Sequence, residues 1–330
     1  MCPNRKEFSA TGLLSINCCT LLKIHTNQFK IKPIIHNKSG SMKFSPHNFH
    51  KLLFLGLCLL FWNGALIAQV KISSWNLQNF GKSKTDQEIN FMANTLREFD
   101  IIAIQEVVAG YGGAQAVARL ADVLNRKGFK WDYVISDPTK STPYATERYA
   151  YIWKTSKVKK VNRHWLEENY KNVIDREPFY TNFNYNGKIF TLVNFHAVPK
   201  KKQPETEIKY FKFLPAQYPD KNLIFLGDFN LPQSHTVFNP LKKMGYNPVF
   251  TGQKTTMKMK CVAEECLASE YDNIFYDSNT TEILNSGVVL FYESYPDMKA
   301  ARRISDHIPI WAEFDFPASG VYIQDLLLEN

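Results

Sequence analysis

Polar residues close one apolar run after another in this chain, and their types suit two kinds of chemistry. Asn76 follows ISSW, Glu106 follows IIAIQ, His196 follows TLVNF, and Asp228 and Asn230 sit in IFLGDFN. Carboxylate and amide oxygens are hard ligands suited to Mg²⁺ or Ca²⁺. Imidazole gives and takes protons near neutrality. Taken singly, a Gly-Asp after a strand is a turn and a Glu at a strand end is a solvated exit. Five such residues at one kind of position are harder to dismiss, because strand ends are where α/β folds gather ligands. Asp228 and Asn230 lie two apart on an extended segment and so point to one side. Asp306 and His307 are adjacent, which an ideal strand would send to opposite sides. They share a site only if the chain turns there, and the flanking Ser305 and Pro309 allow that. From residue 69 onward the histidines are His164, His196, His235 and His307. His164 and His235 lack polar company of this kind and read as surface residues.

The segments that must carry these residues alternate between strand-like and helix-like patterns. VKISSW reads as a strand, and Ile89, Met92, Ala93 and Leu96 then recur at helical intervals. DIIAIQEV is a buried strand, GGAQAVARLADVLNRK a helix ending before Gly128, and WDYVIS and ERYAYIWK are strands. FYTNFNY and KIFTLVNFHAV flank Asn186-Gly187, a hairpin signal. A helix is expected near 205–217, a strand at NLIFLGDFN and a helix through 233–243. Strands are expected near 272–276 and 286–292, and a last one at IPIWAEFDF. With no repeat, linker or internal boundary, residues 69–330 read as one α/β domain with mixed sheets.

Of 330 residues, 45% are hydrophobic, 14% aromatic and 22% charged, which excludes a disordered or collagen-like chain. The net charge of +9 looks like a nucleic-acid signature, but residues 1–68 hold eight of the 40 Lys and Arg and one of the 31 acids. The remainder carries 32 bases against 30 acids, so attraction to a polyanion must come from local clusters. The early charge belongs to a targeting pattern: Lys43 and Lys51, the apolar run from Leu52 to Phe61, then WNGALIA before Gln69. This predicts a signal peptide over 42–68, cleaved after Ala68, and a secreted or periplasmic protein. The rival is an uncleaved anchor. Leu52 to Ala68 gives 17 residues with Asn63 among them, against about 20 for a membrane span, so no stable span is expected after cleavage. Residues 1–41 show no usable pattern; a leader or a mis-assigned start both fit. Four of the six cysteines lie before residue 69, leaving Cys261 and Cys266. In an oxidising compartment that pair points to one short disulfide, a loop clip contributing roughly 2 kcal/mol. A zinc site would need two further ligands, and the neighbouring Glu264 and Glu265 are poor ones.

The segments WNLQNF, IIAIQEV, TERYAYIW, REPFYTNF, NFHAV, GDFN, SEYDNIFY and SDHIPI occur in the order seen in the endonuclease/exonuclease/phosphatase superfamily. The chain most resembles its deoxyribonuclease I-like branch, over about residues 70–316. The resemblance implies a four-layer α/β/β/α sandwich of two packed mixed sheets and hydrolysis of phosphodiesters with Mg²⁺, or with Ca²⁺ or Mn²⁺. By the same resemblance, Glu106 is the metal-binding carboxylate supported by Asn76, Asp228 and Asn230 hold the metal or the scissile phosphate, and Asp306 is a further acidic ligand. His196 partnered by Glu147 and His307 partnered by Asp272 are the two catalytic histidines, with Asp228 beside them. Arg176 of REP is the phosphate-contacting arginine.

The chemistry asks for the same inventory. Phosphodiester hydrolysis requires charge neutralisation at the non-bridging oxygens, activation of water and protonation of a leaving alkoxide. A hard cation polarises the phosphoryl group and acidifies bound water, and two imidazoles, each oriented by a carboxylate, can divide base and acid work. Which histidine takes which role stays open. The export signal and the branch favour DNA as substrate and a monomeric, weakly sequence-selective endonuclease. Lys200-Lys201-Lys202, Lys242-Lys243, Lys254, Lys258, Lys260, Lys299, Arg302 and Arg303 neighbour the motif strands, and predict a positive rim gripping phosphates. Two departures bear on that grip. Val108 stands where the branch carries a groove-reaching arginine, and Ala145, next to Tyr144, stands where it carries a groove-packing tyrosine. The same chemistry on a phospholipid headgroup or sugar phosphate, and a catalytically dead nucleic-acid-binding relative, are the alternatives.

Overall fold

Side-chain alternation along the strands decides how this chain stacks into layers. The computed structural model describes residues 69–316; the segments expected to be a leader (1–41) and a signal peptide (42–68), and residues 317–330, lie outside the described residues. In chain order the strands are β1 (Val70–Phe80), β2 (Ile101–Val108), β3 (Trp131–Ile135), β4 (Glu147–Lys154) and β5 (Lys159–Leu166). Then come β6 (Phe179–Tyr185), β7 (Lys188–His196), β8 (Leu223–Asp228), β9 (Tyr246–Pro248) and β10 (Met257–Val262). The last are β11 (Glu265–Leu267), β12 (Asp272–Asp277), β13 (Glu282–Val288) and β14 (Ile310–Asp315). One six-stranded sheet has the order β13-β14-β1-β2-β4-β3 and the other β5-β6-β7-β8-β12-β9, while β10 and β11 form a separate ribbon. Both sheets are mixed: β1–β2 and β7–β8 are parallel, their neighbouring pairs β1–β14 and β8–β12 antiparallel.

Ile72, Ile101, Ala103 and Tyr151 from the first sheet meet Phe183, Leu192, Ile224, Leu226 and Ile274 from the second. Trp75, Leu77, Ile102 and Ile104 turn outward under the helices Asp86–Leu96 and Gly113–Asn125. On the other side Tyr180, Val193, Phe195 and Phe225 are covered by Ile208, Phe211, Leu214 and Leu241. The result is the four-layer sandwich expected from the resemblance. Burying each such side chain contributes roughly 1.5–3 kcal/mol before the entropy of ordering it is charged. The helix Asp86–Leu96 buries the same four residues the spacing singled out, and Thr85 and Glu88 close its start as a capping box.

Where expectation and structure differ, proline and edge position explain it. The helix expected near 205–217 is broken into Glu205–Ile208, a 3₁₀ turn at Phe211–Phe213 and Leu214–Gln217. Pro215 cannot continue a helix begun upstream. The helix expected through 233–243 is shortened to a 3₁₀ turn at Thr236–Phe238 and a helix Asn239–Lys243, with Pro240 in its first turn. The strand expected near 286–292 runs Glu282–Val288 and gives way to a 3₁₀ turn at Phe291–Ser294. Strand β5 showed no alternation because it is a sheet edge with mostly exposed or half-buried side chains. The hairpin at Asn186-Gly187 forms, both residues having positive φ. Cys261 and Cys266 are joined across the β10–β11 turn. His164 is not a plain surface residue: it is half-buried on β5 and its Nδ1 is buried without a partner. His235 caps the turn at 236, accepting the Val237 N–H. Among the described residues, no helix is long and apolar enough to cross a membrane.

Candidate active site

Strand parity assembles this site. Along β1, β4, β7, β8 and β12 the residues facing the opposite sheet include Ile72, Tyr151, Leu192, Leu226 and Ile274. Counting in twos from these reaches Glu147, His196, Asp228 and Asp272 at strand ends and Asn76 within β1, where its pairing with β2 begins to shift, all buried. Beneath them Gln105 donates to Asn194 (2.6 Å) and to Ser74 (3.0 Å), a buried polar bridge between the sheets. Gly227 is required for Asp228 to arrive. Its φ is +138° and a Cβ there would stand 1.9 Å from the Phe195 carbonyl oxygen.

Glu106 breaks the parity, since Ile102 and Ile104 of the same strand face outward. Its backbone sits at φ 59°, where the β2–β4 register shifts between Ile104 and Val107, and this bulge swings the side chain round. Asn79 (φ 52°) and Asn230 (φ 51°) share the left-handed conformation. The Asn79 N–H donates to Glu106 Oε2 (3.0 Å), and Asn76 Nδ2 donates to Glu106 Oε1 (3.0 Å) and to Asp228 Oδ2 (3.1 Å). Asn230 turns back, its N–H donating to Asp228 Oδ1 at 2.9 Å and its side chain to the Ala197 carbonyl at 3.0 Å.

Both histidines are held as the resemblance implies. His196 Nδ1 lies 2.9 Å from Glu147 Oε2, and His307 Nδ1 lies 2.7 Å from Asp272 Oδ2. Their Nε2 atoms converge on one oxygen, Asp228 Oδ2, at 3.4 Å and 3.6 Å. Burial opposes the charge on His307, but Asp272 and then Asp228 overcome it and push its pKa up to about 10. Burial and Arg176 likewise oppose the charge on His196, yet Glu147 and Asp228 raise its pKa above the ordinary value. Glu147 is itself held below the usual carboxylate range, since His196 and Arg176 outweigh its burial.

The His307 shift carries a sign. A group with raised affinity in the folded state stabilises fully below its unfolded pKa, roughly 6.5, and loses that contribution as pH climbs through the folded value. The melting temperature of the metal-free protein is therefore expected to fall between pH 7 and pH 10 by more than that of an Asp272→Asn variant. Parallel melting curves for the two proteins across that range would remove the ion pair as a source of stability.

Asp306 enters beside His307 because the turn at Ser305 is fixed from three sides. The Ser305 hydroxyl donates to the Asn76 carbonyl and accepts the Gln78 and His307 N–H groups. Gln78 Nε2 donates to Asp306 Oδ2 (3.1 Å), and the buried Lys84 ammonium donates to the carbonyls of Arg303 (2.9 Å) and Ile304 (2.8 Å). Thr255, fully buried, donates to Asp272 Oδ2 at 2.6 Å and accepts the Asp272 N–H. Gln78 had a signal in the sequence, two residues beyond Asn76. Ser305 was visible as a turn residue, though its partners were not, and Lys84 and Thr255 had no signal, because their contacts join segments remote in the chain.

Arg176 departs from its expected posture. It is buried, with one guanidinium nitrogen 3.0 Å from Glu147 Oε2 and another on the Ala197 carbonyl, so it braces the His196–Glu147 pair instead of presenting a free fork. The expected positive rim is also thinner than the lysine clusters suggest. Lys254 and Lys258 pair with Glu265, Arg303 with Glu88, and Arg302 with Asp306 and the Met257 carbonyl, while Lys242 is held by Gln233. Residue spacing reveals clusters of charge but not the partners that folding brings to them. Of those clusters Lys202 lines the cleft, a concavity of about 590 Å³ over Glu106, Asp228, Asp306 and both histidines. Val108, Ala145 and the fully exposed Tyr144 stand in its wall.

The donor set fits a hard cation. Asn76 Oδ1 is buried with no hydrogen-bond partner, beside the carboxylates of Glu106 and Asp228. Asp228, Asp272 and His307 also bring possible ligand atoms within 4.8 Å of one another. Asp272 Oδ2 is already engaged by His307 Nδ1 and the Thr255 hydroxyl, so that trio fits proton transfer better than metal binding.

A model of the endonuclease/exonuclease/phosphatase family matches residues 73–307. The chain is similar to a deoxyribonuclease of Thioalkalivibrio sp. (strain K90mix), 26% identical over 82% of this chain and 77% of that one. It is also similar to deoxyribonuclease gamma of Mus musculus, 27% identical over 77% of this chain and 86% of that one. Among solved structures, an endonuclease/exonuclease/phosphatase family protein from Bacteroides thetaiotaomicron superposes with a TM-score of 0.54 at 18% identity, covering 76% of this chain and 98% of that one.

Proposed function

The chain belongs to the endonuclease/exonuclease/phosphatase family, and from that premise we propose that it is a secreted, metal-dependent and weakly sequence-selective DNA endonuclease. It falls in the deoxyribonuclease I-like branch and is a hydrolase acting on phosphodiester bonds. The observation that carries the finer reading is the convergence of two histidine–carboxylate pairs on a single oxygen of Asp228. The names of the relatives, deoxyribonucleases in both cases, support DNA as the substrate. The apolar run and basic flank before residue 69 support export.

Glu106 and Asp306, with Asn76 between Glu106 and Asp228, are the residues that would hold the cation. A cation held there would supply Lewis acidity to the phosphodiester and make water easier to deprotonate. The chain's own groups do the rest. Glu147 and Asp272 fix the Nδ1 side of each imidazole, so each presents Nε2 to the cleft. One Nε2 takes a proton from water and the other gives one to the leaving oxygen, and Asp228 balances the imidazolium charge. Asn230, folded back by the bond from its N–H to Asp228 Oδ1, lines the cleft with His196.

The test is nicking of supercoiled plasmid by the purified protein with Mg²⁺, Ca²⁺ or Mn²⁺ and with EDTA. EDTA is expected to lower the rate at least ~10²-fold, recovered by excess divalent cation. Undiminished nicking in EDTA would sink the metal requirement. No nicking with any cation, beside hydrolysis of a phospholipid or sugar phosphate, would sink the DNA reading.

A further inference from the structure

Glu207 is buried at 3% exposure on the short helix Glu205–Ile208, outside the lining of the catalytic cleft. A buried carboxylate is costly unless its oxygens are paired, and both are. Oε1 accepts the Val198 N–H at 2.6 Å, and Oε2 accepts the Asp175 N–H at 3.0 Å. Val198 lies two residues after His196, and Asp175 immediately precedes Arg176. Between them, Ala197 is tied into the site itself: its N–H donates to the Asp228 carbonyl (2.8 Å) and its carbonyl accepts from Asn230 and Arg176. The segment leaving His196 at the end of β7 and the segment leading into Arg176 are thus clamped together by one carboxylate. Bonds from N–H groups to an ionised oxygen are roughly twice as strong as neutral ones, so the clamp depends on the charge and on both oxygens.

We propose that Glu207 is a positioning residue for the His196–Glu147–Arg176 unit, an inference that rests on the role given to His196 above. Glu167 supplies the contrast. It is also buried, and its carboxylate accepts from Asn169, Gln217 and Tyr218 and bonds to neither segment; its one tie there is a backbone bond from its N–H to the Pro178 carbonyl (3.0 Å), which a Glu167→Gln change keeps. It is the control for a carboxylate that only holds structure.

Three variants decide the matter: Glu207→Gln, Glu207→Asp and Glu167→Gln. Each is measured for kcat and KM of plasmid nicking per folded molecule and for the low-field proton resonance of His196 Nδ1–H. Glu207→Gln turns an amide N–H toward a backbone N–H. It should lower kcat about 10- to 100-fold with KM within about threefold, the scale expected for small misplacement of a reacting group. Its Nδ1–H resonance should shift or broaden. Glu207→Asp keeps the charge and should lose less. Glu167→Gln should keep wild-type kcat and resonance even if its melting temperature falls. A folded Glu207→Gln with wild-type kcat and resonance overturns the proposal, and so does a Glu167→Gln that loses as much. If Glu207→Gln does not fold, wild-type values in Glu207→Asp overturn it. Should the wild type nick no DNA, the nuclease reading fails, and the resonance alone still decides whether Glu207 positions His196.

Discussion

Asp228→Asn is expected to lower plasmid nicking by roughly 10³-fold or more while the protein stays folded. The residue is 1% exposed and both its carboxylate oxygens are in use. Oδ1 accepts the Asn230 N–H, and Oδ2 faces Asn76 Nδ2 and the Nε2 atoms of both histidines. An amide at this place keeps the shape but loses the charge, and its NH₂ must point at one donor or another. If it faces the imidazoles, neither can remain protonated beside it without repulsion. If it faces Asn230, the bond that holds the Asn230 turn against the cleft is lost. A second consequence tests the cause. Asp228 raises the pKa of His196 and of His307, so removing its charge should lower both and move the pH–rate profile toward acid. A loss of activity with an unmoved profile would mean that Asp228 acts without touching the histidines' protons. Activity within about tenfold of wild type would remove it from the mechanism, since a single proton-transfer or charge-stabilising group is typically worth more.

Much of this site was legible because strands impose a parity that sequence carries. Asn76, His196 and Asp228 each end an apolar run, and the alternation that buries Ile72, Leu192 and Leu226 between the sheets also aims these three at a common edge. Glu106 was equally visible as a strand-end acid, but its direction was not. Parity alone would turn it away, and the left-handed backbone that corrects this is set by a register shift between β2 and β4. Asp272, Glu147 and Arg176 emerged through the family resemblance, since a YDN or a REP has no chemistry of its own until folding places a histidine beside it. Ser305 was legible as the turn before Asp306, but the braces Lys84, Thr255 and Glu207 stayed hidden because each bonds backbone or side chains from distant segments. The charge clusters misled for the converse reason: Glu265, Glu88 and Asp306 were in plain view, but nothing in their spacing announced which lysine or arginine each would meet.

Removing the two histidines together should cost little more than removing the worse one alone. His196→Ala and His307→Ala are each expected to lower kcat at least ~10²-fold. The double variant should then fall no more than about tenfold below the weaker single variant, because groups that act as a unit are strongly non-additive. The geometry gives the reason. Each ring has its own carboxylate on Nδ1, but the two Nε2 atoms share Asp228 Oδ2, at 3.4 Å and 3.6 Å. Donation to the leaving oxygen is useful only while the opposite ring is taking a proton from water, and the charge on Asp228 is balanced against the pair. With one ring gone the other has no partner step, and what survives is the charge stabilisation from Glu106, Asp306 and whatever cation they hold. The measurement is a double-mutant cycle on kcat at saturating plasmid, with circular dichroism confirming that all four proteins are folded. Losses that multiply, so that two ~10²-fold effects give ~10⁴, would show two rings working in separate steps. In that case the shared oxygen would be an accident of packing and not the centre of the mechanism.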